Sequence, residues 1–570
     1  GFKAPLSAGE GPGVRLTCRF GLPTIEVDNR NFTFKLNGEA IRPMGFNLVP
    51  DDRTTGNTLP TWRIKEDIDL LKNLGCQLTR LSHLCLPEEV LDYLDERGIM
   101  VVSEIPLWGF DRFADPKSEL ARDWMTRLVT NQYNHPSVVC WSVGNEIGDY
   151  PTTNAYVKQA IAYTRTLDST RLVSAVTHLA NEPDDFVPFT DLGLINKYGK
   201  NLGPVTNLIH QNFPDKVLFY TEYGNGQLAE NLDAGFDARS FLDSLRNRPY
   251  LIGGSLWTFN DYRSRFFGTK EVSENRPWGV VDVYRRKKRA YRQFRNEHNP
   301  LRELAVNLDA PTTATVRLMP RGKLDLPAFP LHGYRLAWKR TAADGRLGQG
   351  GFLELPTIRP GDAALARTLT WQPDNAAVLT VELLAPTGDA LADTTIHLQK
   401  PAAPQLTYAL GGRGHMNGGR AGTIRVHFMP VPTATAYAVR YGETGLTQFS
   451  PPTISDFVDL PKLALGKTVQ VAVVALNASG ESTSETRQVP VEILNYSPPV
   501  VQHVEPADGG FFLGYASEAD DYFYRVQVTE KSGEYANART VETMNPGTLQ
   551  VTGLTNGKPY FFRFQRVKDN

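Results

Sequence analysis

The chain has 570 residues, too many for one hydrophobic core, so several domains are expected. Its 61 basic and 62 acidic residues leave a net charge of −1, which gives no electrostatic case for nucleic acid or an anionic membrane as partner. No apolar run approaches the roughly 20 residues of a membrane helix, and four cysteines without a C-x-x-C pair argue against a disulfide scaffold or a zinc knuckle.

The start, Gly1-Phe-Lys-Ala-Pro5, is not a signal peptide and lacks Met, which reads as a processed or truncated end. Residues 1–35 have a β pattern. Val14–Phe20 alternates, Thr24–Val27 follows, and Asn31–Leu36 runs into the hairpin signal Asn37-Gly38. The first of these strands has no visible sheet to join. We expect it to be the last strand of an upstream sandwich, with residues 1–30 poorly ordered or paired with a partner and the substrate pocket open on one side.

Strands and helices then alternate from residue 41 to about 298. The strands are expected at Ile41–Asn47, Gln77–His83, Ile99–Glu104, Val138–Asn145, Leu172–Thr177, Leu192–Tyr198, Val217–Glu222 and Leu251–Thr258. Between them, Ile64–Leu74 has apolar residues at i, i+4 and i+7 and stops at Gly75. Pro87–Arg97 opens on proline and stops at Gly98. Eight such strands in some 250 residues argue for a (β/α)₈ barrel.

Two strands carry the chemistry. Ser137–Val143 is a nearly continuous apolar run, the mark of a strand buried on both faces, and it ends in Gly144-Asn145-Glu146. Cys140 inside it reads as a small hydrophobe. Lys216–Thr221 repeats the pattern and closes on Glu222, followed by Tyr223-Gly224. Glu146 ends strand four and Glu222 strand seven, at the rim where an α/β barrel places its catalytic groups. Two carboxylates so placed are the minimal equipment for glycoside hydrolysis, one protonating the leaving oxygen and the other attacking the anomeric carbon or activating water.

After Asn299-Pro300 the helical period fades and turn residues recur every ten or so positions. Residues 301–400 read as one β-sandwich, Pro401–Pro404 as a linker, and residues 401–494 and 495–570 as two further sandwiches that resemble fibronectin type III modules. No tryptophan follows Trp371, so these two modules read as spacers rather than sugar platforms. The fold expected is a (β/α)₈ TIM barrel at 36–300 followed by three β-sandwich domains of immunoglobulin and fibronectin III-like type, with 1–35 as the remnant of an upstream sandwich.

The barrel resembles the family 2 glycoside hydrolases, the group that holds β-galactosidases, β-glucuronidases and β-mannosidases. The matching motifs are Leu36-Asn-Gly-Glu39 leading into Met44-Gly-Phe-Asn47, Arg80-Leu-Ser-His83, Leu91–Gly98, Asn134-His-Pro-Ser-Val138, Gly144-Asn-Glu146, Thr221-Glu-Tyr-Gly224 and Gly253–Trp257. They occur in the family's order over about 280 residues. The resemblance implies a retaining mechanism with Glu146 as general acid/base and Glu222 as nucleophile, their carboxyl groups about 5–5.5 Å apart, as adjacent rim positions can supply. Glu146 must then be kept protonated by burial or by its neighbour, and Glu222 kept ionised by hydrogen bonds from Tyr198 or Arg80.

The same resemblance makes Asn145 the contact to the sugar 2-hydroxyl and His83 a second hydroxyl ligand. Arg80 braces a glutamate. Asn47, Glu104, Tyr198, Trp257 and Asn260 fall at strand ends as further substrate contacts, with Trp257 as the floor of the sugar site and Trp108 and Trp62 as weaker loop candidates. Two departures bear on specificity. Leu48-Val49-Pro50 stands where many β-galactosidases have Arg-His-Glu, and Asn275-Arg-Pro277 stands where glucuronidases have Asn-x-Lys, with Arg263, Arg265 or Arg276 as replacements for the lysine.

The expected activity is that of a retaining exo-β-glycosidase, β-galactosidase-like first and β-glucuronidase or another β-glycosidase second. A non-catalytic carbohydrate-binding or adhesive protein is the rival from another class. The expected partner is a glycoside or oligo- or polysaccharide, with no nucleic acid and no membrane. An upstream portion of the same protein or a second copy is the expected protein partner. No metal and no cofactor are expected. The fibronectin-like modules suggest an exported bacterial enzyme.

Overall fold

The computed structural model describes residues 21, 23–109, 113–148, 151–224, 237–264, 275–413, 422–491, 500–516, 523–543 and 547–567. The expected strand Val14–Phe20, Cys18 and Arg265 lie outside the described residues. The chain divides after Thr395 into two compact units.

The first unit opens with a three-stranded antiparallel sheet of β1 (Ile25–Asp28), β2 (Thr33–Leu36) and β3 (Glu39–Ile41). Eight parallel strands follow and close into a barrel. They are β4 (Met44–Leu48), β5 (Leu78–Leu81), β6 (Met100–Glu104), β7 (Val138–Asn145), β8 (Leu172–Thr177), β9 (Gly193–Tyr198), β10 (Leu218–Gly224) and β11 (Leu251–Leu256). Each matches an expected strand to within a few residues. The helices between them include α1 (Thr61–Asn73) and α2 (Glu88–Arg97). Pro87 caps α2 and Gly98 ends it at φ 63°, the left-handed turn that glycine adopts without penalty.

Among the described residues, β1 and β2 pair in one sheet with the hairpin strand Glu39–Ile41. That sheet packs on the barrel. Phe34 is 1% exposed and joins Leu78, Val102, Cys140, Leu194 and Phe219, which line the lumen one layer below the rim. Cys140 is thus the small hydrophobe expected, and burial pushes its thiol pKa up.

Two antiparallel sheets follow the helix Arg289–Glu297. One holds Leu301–Ala310, Thr313–Pro320 and Leu365–Thr370. The other runs Leu347–Glu354, Arg335–Ala342, Ala376–Leu384, Ala390–His397. Buried Arg42 joins this sandwich to the barrel through the carbonyls of Asp325, Arg248 and Leu251.

The second unit contains two further pairs of antiparallel sheets. The first has its own core of Ile424, Val426, Val439, Val471 and Val473, and the second is built around Leu513, Val526 and Val551. Alternating buried and exposed residues along Gly422–Met429 show one face in each core and one in water.

Candidate active site

Strands β4 to β11 end at one rim, and their last residues converge on one guanidinium. Arg80, at the third position of β5, is wholly buried. Its Nη1 donates to Glu222 Oε1 at 2.7 Å, and its Nη2 donates to Asn145 Oδ1 at 2.7 Å. Nε donates to Glu104 Oε2 at 3.2 Å and Nη2 to Glu104 Oε1 at 2.9 Å, so the fork grips both oxygens. An ammonium has no fixed fork to do this, so the geometry needs arginine. The surrounding acids raise the guanidinium pKa despite its burial.

Glu222 lies in β10, and its two oxygens are held from opposite sides. Arg80 takes Oε1, and the Tyr198 hydroxyl donates to Oε2. Burial of that hydroxyl, then the charge of Glu222, push the Tyr198 pKa far up, so it remains a donor. Tyr198 comes from the end of β9.

Glu146 follows β7 directly. Its backbone adopts φ 49°, a left-handed conformation that costs a non-glycine residue about 1–2 kcal/mol. The turn is pinned on both sides, with Glu146 N donating to the Val176 carbonyl of β8 at 3.0 Å and Asn145 N to Leu107 O at 2.9 Å. The carboxyl is half-buried and accepts from the neutral amide of Asn196 at 2.8 Å. Burial and then the charge of Glu222 raise its pKa, against the opposing pull of Asn196, His178 and His83. The two glutamates therefore sit in unlike surroundings. One receives a cation and a phenol, the other an amide and a neighbouring negative charge. They stand at the fourth and seventh barrel strands, with β8 and β9 between β7 and β10 in the wall.

Asn145, 0% exposed, accepts from both Arg80 and Asn196, and its Nδ2 has no hydrogen-bond partner among the described residues. A buried amide donor left open in this position is ready for a ligand oxygen. His83 stacks between Trp108 at 5.4 Å and Trp257 at 5.6 Å, with Nδ1 2.9 Å from Glu104. Trp257 in turn donates to Tyr262 at 3.0 Å.

Three expected ligands are spent on the scaffold instead. Glu104 is 1% exposed and fully engaged by Arg80, His83 and Ser142. Burial would raise its pKa, but Arg80 and His83 outweigh burial and hold it below the usual range. Asn47 donates to Thr221 O at 2.8 Å and accepts from Ser82 at 3.1 Å, tying three strands together. Asn260 clamps the backbone of Val49 in both directions, at 3.2 and 2.9 Å. Both amides are buried and hydrogen-bonded within the barrel. Trp62 is exposed on the first turn of α1, under Arg63.

Sequence reasoning missed Asn196, which bonds both Asn145 and Glu146 and is itself held by Thr221 at 2.9 Å. Its signal was an amide breaking the apolar run of Leu194 and Ile195 two residues before Tyr198. It also missed Trp278, which meets Tyr198 edge-on at 6.0 Å and carries the Arg276 guanidinium 3.6 Å above its ring. Arg263 is bound to Asp51 at 2.6 Å and to the Asp52 carbonyl at 2.7 Å.

Residues 25–266 match the model of the TIM barrel domain of glycosyl hydrolases family 2. The chain is 33% identical over 276 residues to a β-glucuronidase of Sus scrofa, covering 43% of this chain and 42% of that protein. It is 26% identical over 309 residues to the human β-glucuronidase, covering 48% and 46%. Among solved structures, an uncultured Clostridium sp. β-glucuronidase superposes with a TM-score of 0.45 at 24% identity, over 50% of this chain and 54% of that one. The chain thus spans about half the length of the curated relatives it matches. The closed eight-stranded parallel barrel and the matched family model agree: residues 25–266 carry a TIM barrel domain of the glycosyl hydrolase family 2 type.

Proposed function

We propose that the chain is a retaining exo-β-glycosidase that acts on β-linked uronic acids, with Glu222 as nucleophile and Glu146 as general acid/base. The carrying observation is the unequal environment of the two glutamates. An attacking carboxylate is well served by fixed donors that orient it, and Arg80 on Oε1 and Tyr198 on Oε2 are such donors. A proton donor needs a carboxyl held above its ordinary pKa, and burial beside Glu222 does this for Glu146. The open Nδ2 of Asn145 serves the sugar 2-hydroxyl, whose hydrogen bond tightens in the transition state. His83, braced between two tryptophans, serves a second hydroxyl.

The relatives named above are β-glucuronidases, so the uronoside reading displaces the galactosidase expectation. A uronic acid needs a cation at its carboxylate. Arg276 is in place for this role, on Trp278 and one ring away from Tyr198. The two sheet pairs of the second unit fit fibronectin III-like spacers.

A panel of 4-nitrophenyl β-glycosides tests the proposal. The glucuronide or galacturonide should turn over fastest, and Arg276→Leu should lower kcat/KM for the uronoside about 100-fold more than for the matching neutral sugar. NMR right after mixing should show the β-anomer. Turnover of the galactoside with none of either uronoside would overturn the sugar, and an initial α-anomer would overturn retention.

A further inference from the structure

Beneath the barrel, at the ends of the strands away from the glutamates, lies a cavity of about 440 Å³. Three parts of the first unit enclose it. The β2–β3 hairpin gives Leu36 to Ile41, the connections into β5 and β6 give Lys72 to Gln77 and Gly98 to Met100, and the post-barrel sandwich gives Phe329, His332, Tyr334 and Leu391. The volume falls within the range of small-molecule sites, which favour such domain junctions.

The walls are mostly apolar, with Ile41, Met100, Phe329 and Leu391 among them, yet two polar groups line the cavity without partners. Lys72, in the last turn of α1, makes no side-chain hydrogen bond or ion pair among the described residues. Asp389, whose charge acts on it, is already bonded to Arg97. The Tyr334 hydroxyl makes no hydrogen bond among the described residues either, although the residue is only 9% exposed. The remaining ionisable groups from the hairpin and the sandwich, Glu39 and His332, are paired with each other at 2.5 Å. Water in a largely apolar space finds too few partners to satisfy such groups well.

We propose that this cavity binds a small organic carboxylate with an apolar body, the carboxylate resting on Lys72 and Tyr334. Burial depresses the Lys72 pKa, and an anion beside the ammonium would remove that penalty. The inference is independent of the catalytic reading, since none of these residues touches Glu146 or Glu222.

Calorimetric titration of the full chain with 2-naphthoate tests it. Saturable binding at one site is expected, weakened about tenfold or more by Lys72→Met and a few-fold by Tyr334→Phe. The uncharged 2-naphthamide should bind wild type no better than the acid binds Lys72→Met. Turnover of an aryl glycoside by Lys72→Met should stay within about twofold of wild type, which separates a local loss from misfolding. Ile41→Trp, which fills the cavity and leaves both polar groups in place, should abolish binding. Absence of saturation up to about 5 mM, or equal affinity in wild type, Lys72→Met and Ile41→Trp, overturns the proposal.

Discussion

Arg80 Nη1 and Glu222 Oε1 stand 2.7 Å apart with side-chain exposures of 0% and 5%. Removing one partner of such a pair leaves a buried charge unmatched. Arg80→Ala should therefore destabilise the barrel by about 3–5 kcal/mol in urea unfolding. Arg80→Lys keeps the charge and loses the fork, so it should fold while losing on the order of 100-fold in kcat. Near wild-type turnover in Arg80→Lys would show that the charge alone suffices.

Glu222→Gln should lose essentially all turnover, because no glycosyl-enzyme can form. Glu146→Ala should spare the first step for aryl substrates with good leaving groups and slow the second. Added azide should restore turnover of Glu146→Ala and give a β-glycosyl azide. A β-glycosyl azide from the Glu222 variant, with an α-glycosyl azide from Glu146→Ala, would exchange the two roles.

The alkaline limb of the pH–rate profile should report Glu146 losing its proton. Asn196 donates to the ionised form and so lowers this pKa. In Asn196→Ala the limb should move to higher pH. A profile unmoved, or moved to lower pH, would remove Glu146 from the role of acid.

His298 is 0% exposed between Phe46 and Phe294, and neither ring nitrogen has a hydrogen-bond partner among the described residues. Burial, then Arg321 and Arg246, lower its pKa from 6.5 to about 3. A folded-state pKa below the unfolded value means that the unfolded chain takes the proton first. The stability this residue contributes is complete above pH 6.5 and falls by about 1.4 kcal/mol per unit as pH drops from 6.5 towards 3. His298→Leu should flatten that acid slope of the urea-unfolding free energy. An unchanged slope would place the titration elsewhere.

Patterns of burial were legible in the sequence, and patterns of mutual contact were not. Runs such as Val138–Val143 and Leu218–Thr221 announce doubly buried strands, so all eight strands and both rim glutamates could be placed. A strand-end position does not say whether a side chain faces a substrate or a neighbouring strand. Glu104 and Asn260 share the rim with Asn145, yet both are consumed by the scaffold. Asn196 escaped notice because its importance lies in two residues 50 and 51 positions away. What the floor sheet packs on was illegible for a related reason: Ile25–Leu36 has an ordinary strand pattern, and only the barrel core shows what it covers.

Phe34 and its sheet stop the lumen from below. Traffic through the proposed reaction then has a single door. Glycoside, departing aglycone, incoming water and released sugar must all pass the same rim, in order, since none can leave through the apolar plug. Water therefore reaches the glycosyl-enzyme by the route the aglycone has just vacated. Any alcohol that is to accept the sugar must enter by that same door.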